Sequence, residues 1–159
     1  MLAYGDRVNA KLFAHDANPA RLRDLAPRAK RAGVTIEQLT TEGCKLAAPF
    51  DLVLCDVPCS GSGAWRRSPE GKWSLTAEKL DLLTQRQSEI VSVAAPLVSE
   101  GGTLAYATCS FLSAENGDRV QKFLAENQGF TLGYERQFLP SEGGDGFYVA
   151  HLTRAKDVT

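Results

Sequence analysis

One stretch, residues 50–63 (FDLVLCDVPCSGSG), constrains the fold more than any other part of the sequence. Its apolar run, 52–55, is typical of a strand that is buried on both faces of a parallel sheet. Asp56, Pro58, Cys59 and several small residues follow, and they predict a tight loop directly after that strand. Ligands collect outside the carboxyl ends of strands in open α/β sheets, so Asp56 and Cys59 are candidate functional residues.

A second stretch, residues 101–110 (GGTLAYATCS), has the same design. Residues 104–107 predict a strand, and Thr108, Cys109 and Ser110 follow at its carboxyl end. Neighbouring parallel strands end at the same edge of a sheet. The sequence therefore predicts that the thiols of Cys59 and Cys109 lie at one crevice.

Strand-like and helix-like segments alternate along the chain, which favours an α/β fold with a mostly parallel, Rossmann-like sheet and helices on both faces. No helix separates the final two strands, which predicts an antiparallel C-terminal hairpin at the sheet edge. With 159 residues and 43% hydrophobic content, the chain is expected to form a single domain, 1–159. Strands are predicted at 11–14, 35–40, 52–55, 104–107, 130–134 and 147–152, and helices at 19–31, 77–98 and 113–127.

The charge balance excludes a positive electrostatic potential over the whole surface, because the chain has 18 Lys and Arg residues against 19 Asp and Glu residues and a net charge of -1. A nucleic-acid partner must therefore meet a local patch. Residues 64–73 are a candidate, since cations beside aromatic rings suit phosphate contact and base stacking in single strands. An ordinary polar loop is the alternative interpretation. The segment contains Arg66, Arg67 and Lys72 together with Trp65 and Trp73.

The four cysteines are too few and too scattered for a disulfide framework. Together with the lack of a signal peptide or an apolar membrane span, this pattern predicts a cytoplasmic protein. Cys55 is expected to be a buried core residue, and Cys44 is expected to be inert. No second close Cys/His pair accompanies Cys55 and Cys59, so no metal site is predicted. The lack of an apolar membrane span predicts no membrane partner.

Five motifs carry a resemblance to a known family. In order and spacing, DVPCSGSG, WRRSPEGKW, QRQSEI, GGTLAYATCSFLSAEN and EGGDGFYVAHL resemble the NOL/NOP/Sun family of RNA cytosine-5 methyltransferases. The likeness is greatest to the Sun/Fmu-like bacterial enzymes that act on small-subunit ribosomal RNA, and it covers about residues 16–152. It implies a methyltransferase fold that uses S-adenosylmethionine as cofactor, with ribosomal RNA as partner.

The resemblance also implies a covalent cysteine mechanism. A thiolate that adds to carbon 6 of cytosine makes carbon 5 nucleophilic, and the adduct must later be eliminated. By resemblance, Cys109 is the nucleophile, Cys59 assists product release, and Asp56 holds the target base near the reacting methyl group. The spacing of the residues does not tell which thiol has which role, and Asp56 could instead cap the turn that follows the strand.

Further residues are assigned by the same resemblance. Asp16 matches the acid that binds the ribose of the cofactor, although it could instead support helix entry beside Asn18. Glu42 matches a family position near the adenine of the cofactor, where the family commonly has Asp. Asp56 and Pro58 match positions of the cofactor site. The segment that meets the RNA strand contains Arg66, Arg67 and Lys72.

The sequence departs from the family at its start. Family members have a strand and a glycine-rich loop before the position of Asp16, and residues 1–5 resemble only the last turn of the helix that follows that loop. We therefore expect an incomplete catalytic domain, without the first strand and the glycine-rich loop, that binds S-adenosylmethionine weakly if at all. A noncatalytic RNA-binding module derived from the family is the alternative function. An unrelated thiol oxidoreductase is disfavoured because the sequence has no Cys-x-x-Cys.

Overall fold

The structure, a computed structural model, describes residues 10–156. The chain divides into two compact units, an N-terminal unit up to Ala48 and a C-terminal unit from Pro49 onward. The helix end predicted at residues 1–5 lies outside the described residues. Within residues 10–156, no helix combines the length and apolar character that crossing a membrane requires.

The N-terminal unit contains a pair of parallel strands, β1 (Leu12–Ala14) and β2 (Ile36–Gln38), as the sequence predicts. The helix predicted between them is divided into a 3-10 turn, Pro19–Leu22, and helix α1 (Leu25–Arg31). Helix α2 (Thr41–Ala47) follows β2 and was not predicted. Its N-terminus is capped by Thr40, whose Oγ1 accepts a hydrogen bond of 3.0 Å from the Gly43 amide.

The C-terminal unit is built on a four-stranded sheet in the order β3-β4-β6-β5. Strands β3 and β4 are parallel, whereas β6 is antiparallel to both of its neighbours, β4 and β5. Three strands therefore run in one direction and β6 runs in the other, which confirms the α/β fold with an antiparallel C-terminal hairpin. The strands are β3 (Phe50–Asp56), β4 (Val98–Thr108), β5 (Phe130–Phe138) and β6 (Phe147–Arg154).

Helices cover one face of this sheet. The longer ones, α4 (Ala77–Ala94) and α5 (Gly117–Glu126), pack against each other and against the strands, whereas α3 (Glu70–Ser74) is a single short turn in the predicted RNA segment. Their apolar side chains meet those of β3, β4 and β6 in one core, because residues three and four apart share a helix face. The core includes Val91, Val120 and Phe123 from the helices and Cys55, Leu104, Tyr106, Ala150 and Leu152 from the strands.

The prediction that β3 is buried on both faces is wrong for the described residues. Leu52 is 53% exposed and Leu54 is 43% exposed. Their neighbours Val53 and Cys55 point to the opposite face, where they contact the core beneath the helices. Alternation along the strand thus gives one covered face and one open face. The predicted burial of Cys55 is confirmed.

Candidate active site

The two cysteine motifs lie side by side because β3 and β4 are adjacent and parallel. Asp56, the last residue of β3, pairs in register with Ala107 near the end of β4. The loop that follows β3 stays attached to the end of β4, since the Gly63 amide donates a hydrogen bond of 2.9 Å to the Cys109 carbonyl. Within this loop, Gly61 has a φ of +68°, which glycine adopts without strain, and this conformation allows the chain to turn between Cys59 and Gly63.

The structure brings the two predicted thiols together. The Sγ atoms of Cys59 and Cys109 are 3.4 Å apart, and both side chains are partly buried. This distance is short enough for an S–H group of one residue to hydrogen-bond to the sulfur of the other. Asp56 stands at the end of β3 with an exposed side chain, and no side-chain hydrogen bond or ion pair from residues 10–156 engages its carboxylate.

The site makes the Cys59 thiol hard to ionise. Burial raises the pKa of Cys59 to about 12, and the nearby Cys109 side chain adds to the rise, whereas the backbone amides of Gly61 and Cys109 oppose it. Near neutral pH, Cys59 therefore keeps its proton, and its S–H group can donate a hydrogen bond to the sulfur of Cys109.

A buried carboxylate that the sequence analysis missed joins the two loops. Glu115 is 0% exposed, and four hydrogen bonds reach its side chain. Its Oε1 accepts from the Ser60 amide at 2.8 Å and from Gln87 Nε2 at 3.1 Å. Its Oε2 accepts from the hydroxyl groups of Ser60 at 2.5 Å and Ser110 at 2.6 Å. The sequence did contain a signal for such a buried acceptor. A serine directly follows each of the two cysteines, and a buried hydroxyl group needs a hydrogen-bond partner.

Further polar contacts hold these loops against the helices. Gln87, fully buried on α4, donates a hydrogen bond of 2.9 Å to the carbonyl of Pro58. The hydroxyl groups of Ser62 and Ser110 are 3.0 Å apart, and the Phe111 amide donates to Ser62 Oγ at 2.8 Å. Each loop is therefore fixed by side chains of the other.

A third loop, residues 139–146, packs against the loop that follows β3. The Gly146 amide donates a hydrogen bond of 3.0 Å to the Gly63 carbonyl. Beside it, Arg67 donates two hydrogen bonds to the carboxylate of Asp145. Arg67 lowers the pKa of Asp145 through these bonds, so the pair stays charged.

The predicted RNA-binding residues differ in their availability. Arg66 and Arg67 are both exposed, and Arg67 is engaged in an ion pair with Asp145. Lys72 Nζ lies 5.7 Å from the centroid of the Trp73 ring, and Trp73 is 81% exposed. Trp65 is more buried, and among the described residues its Nε1 has no hydrogen-bond partner. Trp73 is therefore the indole of this segment that has a face open to a ligand.

The N-terminal unit contains the two predicted adenosine-binding acids. The Asp16 carboxylate accepts a hydrogen bond of 2.7 Å from the backbone amide of Asn18, and its Oδ2 lies 3.8 Å from a guanidinium nitrogen of Arg21. Asp16 therefore does support the start of the 3-10 turn that follows Asn18. Glu42 is in the first turn of α2, 3.3 Å from Lys45 Nζ. Both carboxylates follow the carboxyl ends of strands. No cluster of three or more metal-ligating side chains occurs in residues 10–156.

Comparison with known proteins gives a consistent result. The model of a family described as 16S rRNA methyltransferase RsmB/F matches residues 5–153. Ribosomal RNA small subunit methyltransferase B from Vibrio vulnificus is 37% identical over 162 residues, which cover 94% of this chain but 38% of that protein. The chain thus spans less than two-fifths of that relative.

Two solved structures share the fold. The crystal structure of PH0851 matches with a TM-score of 0.79 and 30% identity, covering 90% of this chain and 37% of the other. The structure of NSun6 from Pyrococcus horikoshii with SFG matches with a TM-score of 0.77 and 24% identity, covering 93% and 42%. The predicted Rossmann-like methyltransferase fold is confirmed by these matches.

Proposed function

Because the chain belongs to the RsmB/F family of 16S rRNA methyltransferases, we propose that it is the cysteine-bearing part of an RNA cytosine-5 methyltransferase that acts on ribosomal RNA in the cytoplasm. The observation that carries the proposal is the 3.4 Å separation of the Cys59 and Cys109 sulfurs at the ends of two parallel strands. Two adjacent thiols suit a reaction in which one forms a covalent bond and the other assists its breakage.

In this proposal Cys109 is the nucleophile. Its thiol loses a proton to solvent, the thiolate adds to carbon 6 of cytosine, and the electron pair of the C5–C6 double bond makes carbon 5 able to attack a methyl group. S-adenosylmethionine, when bound, supplies that methyl group. The proton on carbon 5 then passes to a solvent base, and the electrons of the C5–H bond re-form the double bond and expel the Cys109 thiolate.

Cys59 has the complementary role. The raised pKa of its thiol keeps the proton in place near neutral pH, so its S–H group can donate a hydrogen bond to the Cys109 sulfur 3.4 Å away. That bond stabilises the thiolate before attack and again when the C6–S bond breaks. The assignment of Cys59 to this role is supported by the burial that raises its pKa, since a thiol that keeps its proton suits the donor role.

Asp56 and Pro58 are the candidate contacts for the base and the cofactor. The exposed carboxylate of Asp56 has acceptor positions available for the amino group of cytosine. The carbonyl of Pro58 is occupied by Gln87, which fixes the loop and leaves the proline ring as the contact surface. In the N-terminal unit, Asp16 and Glu42 have carboxylate oxygens that suit the hydroxyl and amino donors of an adenosine group.

Covalent trapping tests the proposed function. RNA that contains 5-fluorocytosine at the target position, supplied with S-adenosylmethionine in large enough excess to fill a weakened cofactor site, should form a stable adduct with this chain, because fluorine at carbon 5 blocks the elimination step that follows methyl transfer. Cys109→Ser should abolish the adduct, and Cys59→Ser should retain it. Cys44→Ser is the control, since Cys44 lies in the other unit. An adduct that survives Cys109→Ser would refute the assignment, and RNA binding without any adduct would favour a noncatalytic RNA-binding module.

RNA binding through residues 64–73 has a separate test. We propose that Arg66, Arg67 and Lys72 contact phosphates, with a smaller contribution from Arg67 because Asp145 engages it. Replacing either Arg66 or Lys72 by alanine should reduce the slope of log affinity against log salt by about one. Lys122→Ala, which removes an exposed cation of α5, is the control and should leave the slope unchanged. Equal slopes in all variants would contradict this interface.

A further inference from the structure

Glu115 contacts the neighbours of both thiols. We propose that Glu115 is a positioning residue, whose carboxylate ties the loop after β3 to the loop after β4 and thereby sets the separation of Cys59 and Cys109. The inference rests on the proposed function for the role of the two thiols. Glu115 forms no hydrogen bond to either sulfur in the described structure, so its effect passes through Ser60 and Ser110.

The hydrogen-bond pattern supports this role. Ser60 directly follows Cys59 and donates to Glu115 through both its amide and its hydroxyl group. Ser110 directly follows Cys109 and donates through its hydroxyl group. Each thiol is therefore one residue from an anchor on the same carboxylate. A shift of that carboxylate changes both anchors, and the backbone transmits the change to the sulfurs.

A carboxylate meets a requirement here that an amide does not. Its two oxygens accept four hydrogen bonds and donate none, and the four donors at this site fill that capacity. Because the Ser110 hydroxyl group gives its hydrogen to Glu115, its oxygen accepts from Ser62 at 3.0 Å and from the Leu112 amide at 3.0 Å. Glutamine would present an N–H group to the hydroxyl groups of Ser60 and Ser110, and their hydrogens would have to reorient.

The burial of Glu115 also depends on this geometry. No cationic side chain among residues 10–156 forms an ion pair with it, so neutral donors alone compensate the buried side chain. A buried polar group loses its hydration, and hydrogen bonds within the protein must replace that hydration. Loss of a donor is therefore costly, and the two loops are held at the spacing at which all four donors reach the carboxylate.

Site-resolved alkylation tests the inference without RNA or cofactor. The alkylation rate of Cys59 by iodoacetamide at pH 9, followed by mass spectrometry, should rise at least tenfold in Glu115→Gln, because separated loops expose the thiol and favour its thiolate. Cys55 is the internal monitor of unfolding, since it is buried on β3 in the same unit. Its rate should stay unchanged. Glu89→Gln, an exposed glutamate on α4, is the matched control and should behave as the unmodified chain.

A milder variant covers the case in which Glu115→Gln does not fold. Ser110→Ala removes one of the four donors and should change the Cys59 rate in the same direction by a smaller factor. In the adduct assay, both variants should form the adduct more slowly at saturating RNA, with RNA affinity unchanged. Folded variants with an unchanged Cys59 rate, or a rate that rises only together with that of Cys55, would overturn the inference. Absence of an adduct from the unmodified chain would instead refute the proposed function.

Discussion

Replacing Gly63 by alanine should destabilise the C-terminal unit, because no side chain fits between the loop after β3 and the loop of residues 139–146. A Cβ atom at Gly63 would lie 2.7 Å from the carbonyl carbon and 2.9 Å from the Cα of Gly146. Carbon atoms in contact prefer about 3.5–4.0 Å. One of the two loops must therefore move by roughly 1 Å, and the obstacle is backbone, which cannot rotate away as a flexible side chain can.

Two contributions set the size of the effect. Forcing a methyl group into a filled site costs about 1–3 kcal/mol. The shift also breaks the bond from the Gly146 amide to the Gly63 carbonyl, which is worth about 0.5–1.5 kcal/mol net. The free energy of unfolding should therefore fall by roughly 2–4 kcal/mol for Gly63→Ala.

Tryptophan fluorescence during urea unfolding measures this change, because both tryptophans of the chain, Trp65 and Trp73, are in the C-terminal unit. With a slope of about 2 kcal/mol per molar urea, the midpoint should fall by about 1–2 M. Gly144→Ala is the control in the same loop. A Cβ there meets nothing within 4 Å, so this variant should be neutral or more stable by about 0.4–1 kcal/mol. Variants that unfold within about 0.5 kcal/mol of each other would refute the reasoning.

Two further predictions concern the buried polar groups. Tyr106→Phe removes the hydroxyl group that donates to the Glu115 carbonyl at 2.5 Å in the core, and the free energy of unfolding in urea should fall by about 1–3 kcal/mol. Tyr148→Phe is the control and should cost less, because the Tyr148 hydroxyl group donates to the exposed Glu135. Equal losses in the two variants would contradict the argument. Folding raises the pKa of Cys59 to about 12, so its contribution to stability is full below about pH 8.5 and is lost as the pH rises towards 12. Cys59→Ser should therefore lose less stability than the unmodified chain across that window, and parallel pH curves would count against the assignment.

The strands and the meeting of the two thiols were predictable because both depend on local patterns. An apolar run followed by small and polar residues predicts a strand that ends in a loop, and this pattern occurs before both Cys59 and Cys109. Parallel pairing of the two strands then places their ends together. The open face of β3 was not predictable in this way, because an unbroken apolar run does not say which of its faces the helices cover.

The features that were missed depend on contacts between distant parts of the chain. Glu115 accepts from Ser60, which is 55 residues away in sequence, and from Gln87, which is 28 residues away. The local sequence predicts surface positions for a glutamate in a polar turn and a glutamine in a helix, because both residue types are mostly exposed in proteins. Their full burial follows only from how α4 and α5 pack against the sheet.

The raised pKa of Cys59 has the same origin. The spacing of the motifs treats Cys59 and Cys109 alike, since each follows a strand and precedes a serine. Desolvation is the largest cause of the raised pKa of Cys59, and desolvation is a property of the packed loops. The contacts that pack those loops therefore also keep the proton on Cys59. A change at Glu115 or Gly63 should alter the chemistry of the sulfurs even though neither residue forms a hydrogen bond to a sulfur in the described structure.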